Sequence, residues 1–117
     1  MSSDCDEAEL LALLEDEYAR AILTATSAKP MSADTLSERC DASVSTIYRR
    51  VDRLQEHDLI EEQTAVDPDG HHYSVYASRL EGVNVTFDDG DCEITIQRRP
   101  PAGEDVADRF TRMWQDL

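Results

Sequence analysis

From Glu7 to about Ser27 the apolar residues Leu11, Leu14, Tyr18, Ala21, Ile22 and Ala25 recur at helical spacing, with acids filling the other face. That periodicity predicts an amphipathic helix, stopped by Pro30. The stretch "MSADTLSERCDASVSTIYRRVDRLQEHDLI" then holds two helix starts. Ser32 is placed to cap a short helix whose Ala33, Leu36 and Cys40 point one way, and Ser43 to cap a second. In the second, Val44, Ile47, Val51 and Leu54 define a buried stripe at i, i+3, i+7 and i+10. The opposite arc carries Ser45, Thr46, Arg49, Arg50 and Arg53.

Beyond the helices the period changes to two. Leu59 to Val66 and "HHYSVYA" read as strands joined by "DPDG", with Pro68 and Gly70 at turn positions. A second hairpin follows, Val83, Val85 and Phe87 alternating into the turn "DDGD" and Cys92, Ile94 and Ile96 alternating out of it. Pro100, Pro101 and Gly103 mark a short linker. After it Val106, Phe110, Met113 or Trp114, and Leu117 form a last amphipathic helix whose stripe needs a partner. The expected organisation is one domain: an acidic disordered tail over 1–6, a core over 7–80, an additional hairpin over 81–99 and an amphipathic helix over 103–117.

Composition sharpens this picture. The net charge is −15, with 26 acidic residues against Lys29 and ten arginines. Lysine is nearly absent. Carboxylates hold water and cations, whereas lysine stems add apolar surface that concentrated salt drives to aggregate, so the balance suits multimolar salt and resembles that of halophilic archaeal proteins. Disorder is opposed by a 40% hydrophobic content arranged in periodic segments. No run of 18 or more apolar residues and no signal-peptide pattern occurs in the sequence, which predicts a soluble cytoplasmic protein.

Against that acidic background, three arginines on one helix arc stand out. A helix, short turn and second helix followed at once by a hairpin is the order of a winged helix-turn-helix. The residues "LSERCDASVSTIYRRVDRLQEHDLI" resemble winged-helix transcriptional regulators of the ArsR, MarR and PadR type. The likeness runs from Leu11 to Arg79. The common pattern has Ala at Ser37, a large aliphatic at Cys40, and Gly at Asp41 and Asp58. Small fillers are tolerable at the first two, and Asp reaches the left-handed conformation at modest cost.

The resemblance implies an α+β fold, a winged helix-turn-helix with an added hairpin and with N- and C-terminal helices forming a dimer interface. It implies a homodimer on a pseudo-palindromic double-stranded site, the interface drawing on Leu11, Leu14, Tyr18, Phe110, Met113, Trp114 and Leu117. Ser45, Thr46 and Arg49 would then read bases, while Arg50, Arg53, Ser43 and Tyr48 hold phosphates. His71 and His72 would sit at the wing tip beside the minor groove or flanking phosphates. A conventional binder with about six phosphate contacts would lose roughly five decades of affinity between 0.2 and 2 M salt. Bound cations such as K+ at the interface are therefore expected to soften the salt dependence.

Other chemistries find less support. Cys5, Cys40 and Cys92 lack metal or disulfide spacing, and Cys40 and Cys92 read as packing residues. Adjacent His71 and His72 point to opposite faces of a strand and chelate one ion poorly. Neither a cofactor nor a metal is expected. No Gly-rich phosphate loop, HExxH or GxSxG is present, so an enzyme is not expected. The halophilic likeness leaves a stress-responsive regulator open. The rival reading is a winged-helix protein-interaction or DNA-mimic module in a transcription complex.

Overall fold

A computed structural model describes residues 2–100, with side chains from residue 7 onward. The expected terminal helix, and with it Val106, Phe110, Met113, Trp114 and Leu117, lies outside the described residues. The order is α1 (Ser2–Glu15), α2 (Glu17–Ala28), α3 (Ala33–Cys40), α4 (Val44–Glu56), β1 (Ile60–Val66), β2 (His72–Ser78), β3 (Leu80–Asp88) and β4 (Asp91–Arg98). Four helices and two small antiparallel sheets make it an α+β fold. The helix α1 starts at Ser2, inside the stretch expected to be a tail.

The single N-terminal helix predicted by periodicity is two helices. Asp16 leaves helical dihedrals (φ −72°, ψ 122°), and its carboxylate accepts from the Ala19 amide at 3.3 Å, capping α2. Arg20 donates to the Leu14 and Glu15 carbonyls at 2.6 and 3.0 Å and so satisfies the end of α1. The break resets the phase of the apolar stripe. Leu10 and Leu13 enter the core, Leu14 is half-buried and Leu11 is left 39% exposed, while α2 buries Ala19, Ile22, Leu23 and Thr26.

Both remaining helices start on the predicted caps. The Ser32 and Ser43 hydroxyls each accept, at 3.2 Å, from the amide three residues on, Thr35 and Thr46. Both end on an aspartate in the left-handed region, Asp41 at φ 51° and Asp58 at φ 56°. At each, a six-to-one bond closes the turn, Ala42 to the Ser37 carbonyl at 3.1 Å and Leu59 to the Leu54 carbonyl at 3.0 Å. Leu54 and Leu59 are then both fully buried. Of the predicted α4 stripe, Ile47, Val51 and Leu54 are buried, but Val44 is not. It is the first residue of α4 and is 36% exposed.

The core gathers Leu10, Leu13, Ile22, Leu36, Ile47 and Leu54 from the four helices, Leu59 from the turn after α4 and Ile60 from the first strand. Strands β1 and β2 pair from Ile60↔Ser78 to Val66↔His72. At their base Met31 and Tyr76 exchange two backbone bonds, 3.0 and 2.8 Å, so the segment before α3 is tied to β2. Strands β3 and β4 form a separate hairpin, turned by Asp89 and Gly90 at φ 50° and 81°, the two-residue geometry that follows the strand twist. Cys92, expected among packing residues, is exposed here, because towards the turn the face that it shares with Phe87 has no cover among the described residues. No helix among the described residues is long and apolar enough to cross a membrane.

Candidate nucleic-acid interface

The candidate surface is the outward arc of α4 with the tip of the β1–β2 hairpin beside it. Ser45, Arg49 and Arg53 stand at i, i+4 and i+8, one row along the helix, and all three are exposed. None makes a hydrogen bond or ion pair among the described residues. The row therefore presents a hydroxyl and two guanidinium groups to solvent, with their donors unspent. Thr46 is half-buried and bonds its hydroxyl to that of Ser43 at 2.9 Å. Ser43 thus serves first as the cap that orients α4.

Arg50 departs from the phosphate-holding role expected of it. Its guanidinium bonds the Asp16 carboxylate and lies 5.9 Å from the Tyr18 ring centroid, turned inward over α2. Tyr18, expected at a dimer seam, is half-buried beneath that guanidinium. Asp16 has a local signal of its own in the sequence, an aspartate just ahead of the alanine-rich run "EYARAILTA", in the position of an N-cap.

Tyr48, 47% exposed, edges a shallow recess of about 380 Å³ with Ser32, Asp34, Tyr73 and Tyr76. The Tyr76 phenol is held above its usual range, first by burial and then by the negative charge of Glu62. At the hairpin tip Asp67 accepts from the Asp69 and His71 amides at 2.9 and 2.8 Å, a local turn that fixes the loop. His71 lies 3.5 Å from the Asp67 carboxylate, and both His71 and His72 are exposed. Asp67, Asp69 and His71 bring ligand-type atoms within 4.8 Å of one another. Two of these three are carboxylates, so the tip sets negative charge beside its histidines.

Behind the arc, His57 ends α4 with a nearly buried side chain whose Nε2 lies 3.0 Å from Glu9 of α1. Its carbonyl accepts from Arg98 of β4 at 2.9 Å. The carbonyl bond ties the far end of α4 to the second hairpin. Cys40 is half-buried, and burial pushes its thiol up, away from the reactive thiolate.

No curated protein matches the chain. A family model described as a helix-turn-helix domain matches residues 14–63, under half the chain, from the end of α1 into β1. The matched stretch contains the capped pair α3 and α4 and the whole arginine row, and such a domain suggests a DNA-binding regulator.

Proposed function

We propose that this protein is a sequence-specific, double-stranded DNA-binding transcriptional regulator of the ArsR/MarR/PadR-like winged-helix type, acting as a homodimer in the cytoplasm at high salt. The observation that carries the reading is the unpaired row Ser45, Arg49 and Arg53 on α4, in a chain whose net charge is −15. A helix of this kind enters the major groove, where Arg49 offers its fork to guanine and Ser45 reaches a neighbouring base edge. Arg53, a full turn further on, holds a phosphate and fixes register. The β1–β2 hairpin is the wing. Its aspartates keep it shallow against the flanking backbone. Exposed Leu11 and half-buried Leu14 on α1 offer an apolar start for the dimer seam.

Few cations reach the DNA in this arrangement, so counterion release is a minor drive and base contacts carry more of the affinity. Carboxylates around the arc take up K+ as the complex forms, which offsets part of the salt penalty. A signal such as stress would act on this regulator through the dimer or the ionic conditions.

Selection of duplexes from a random library by the purified protein at about 2 M KCl, where nonspecific attraction is suppressed, tests the reading. Enrichment of a palindrome with half-sites about 10 base pairs apart is expected. A folded protein that enriches nothing would transfer the arginine row to a protein partner in a transcription complex.

A further inference from the structure

Strands β3 and β4 build an amphipathic ribbon with one face unaccounted for. Their register sets Val83 opposite Ile96, Val85 opposite Ile94 and Phe87 opposite Cys92, six apolar or thiol side chains on a single face. The other face carries Asn84 opposite Thr95 and Thr86 opposite Glu93. Only the base of the apolar face is covered, where Leu80, Val83 and Ile96 pack against the core. Towards the tip Val85 is 41% exposed and Phe87 79%. An isolated two-stranded hairpin is marginal in water and needs a third strand or a packed helix on its apolar face.

We propose that the occupant is this chain's own C-terminal segment, residues 104–117, lying as a helix along the β3–β4 face from base to tip. The segment carries the matching stripe, Val106, Phe110, Met113, Trp114 and Leu117, at i, i+4, i+7, i+8 and i+11. Lengths agree. From Val106 to Leu117 a helix rises about 16 Å, and from Ile96 to Cys92 a strand runs about 13 Å, so the stripe covers the face to about one residue past Cys92.

The exit of the chain favours the same geometry. The Arg99 amide donates to the Arg79 carbonyl at 2.6 Å, which pins the strand end at the base of the hairpin, and the sequence that follows, Pro100, Pro101, Ala102 and Gly103, is of turn-forming composition. A tether of this length holds the segment at an effective concentration of order mM, above what a second copy reaches at micromolar protein. Val106 then sits near Val83 and Ile96, Phe110 near Val85 and Ile94, and Met113 and Trp114 near Phe87 and Cys92.

Cys92 supplies the test. In the full-length chain carrying Cys5→Ser and Cys40→Ser, Phe110→Cys and Met113→Cys are introduced separately and oxidised with diamide at micromolar protein. At least one new thiol is expected to close an intramolecular disulfide with Cys92, giving a compact monomer on a non-reducing gel, because the bond forms only when Cα atoms lie within about 7 Å. A covalent dimer would overturn the proposal and hand the face to a second copy. Two thiols that stay reducible and fully reactive in both variants would also overturn it, leaving the face uncovered. Trp114, the only tryptophan, gives an independent readout in the unmodified chain. Its emission should be blue-shifted and should move to the red on Phe87→Ser; solvent-exposed emission that Phe87→Ser leaves unchanged would contradict the docking.

Discussion

The Asp16 carboxylate holds two donors on one oxygen, the Ala19 amide that starts α2 and the Arg50 guanidinium that reaches back from α4. One side chain thereby ends α1, begins the next helix and sets the rotation of the arginine-bearing helix about its axis. Adjacent arginines on α4 consequently do different work.

Replacing Arg50 and Arg49 separately by alanine should divide stability from binding. Arg50→Ala is expected to cost about 1 kcal/mol, since its pair with Asp16 is less than a third exposed on either side. Asp16→Ala should cost about 2 kcal/mol because the helix cap goes with the pair. Arg49→Ala should leave thermal unfolding unchanged and weaken DNA binding by about 1–3 kcal/mol, relaxing preference at one base pair. Thermal melts and titrations on the selected site measure both.

Asp41 and Asp58 occupy left-handed positions that glycine fills without steric cost. Asp41→Gly and Asp58→Gly should each raise stability by about 0.5–1 kcal/mol, additively because they end different helices. A melting-temperature gain of several degrees at fixed KCl is the expected reading.

Alkaline stability should depend on Tyr76. Burial, reinforced by Glu62, raises its phenol above the ordinary value of 10.0, so the unfolded chain loses this proton at a lower pH than the folded one. The stabilisation is fully present below that ordinary value and drains away as pH rises from it through the raised folded value. Denaturant melts between about pH 9 and 11 should show that decline, and Tyr76→Phe should flatten it.

For Cys40 the same sign predicts sluggish chemistry. Its thiol is raised from 9.0 by burial, leaving less thiolate at pH 8 than a free cysteine has. Maleimide or iodoacetamide labelling followed by mass spectrometry should find Cys40 modified several-fold more slowly than in the unfolded chain.

The unpaired cations of the α4 row, Arg49 and Arg53, set an upper bound on its ionic term. If the proposed homodimer spent all four on phosphates the slope in log K against log salt would be roughly −4; with Arg49 on a base, and with cation uptake by nearby carboxylates, it should be shallower. Titrations across 0.2–2 M KCl check this; a slope near −10, as for a strongly basic repressor, would exclude it.

Much of this was legible in the sequence because local rules and the global fold agree over Ser32 to Ser78. The serine caps, the aspartates at glycine positions, the Ile47, Val51 and Leu54 stripe and both turns are each written within a few residues of where they act. What stayed hidden depends on distance. A helical period continues unbroken across Asp16 because helix-forming residues lie on both sides, and one residue leaving helical dihedrals moves the buried set from Leu11 to Leu10 and Leu13. Arg50 looks the same as Arg49 and Arg53 until a partner far back in the chain claims it. Cys92 alternates as a core residue should, yet the turn end of the face that it occupies is covered by nothing among the described residues.

The bridge between Met31 and Tyr76 gives the β1–β2 hairpin two lifetimes. At its base these two amides are donors in a ring that closes on the segment leading into α3, and Tyr76 is itself core. They can exchange with solvent only when the helix-turn-helix opens as a unit. Towards the exposed tip, around Val66 and His72, opening needs no more than fraying of the last ladder bonds. Hydrogen exchange should therefore run along this hairpin as a gradient, slow where it belongs to the domain and fast at the exposed tip.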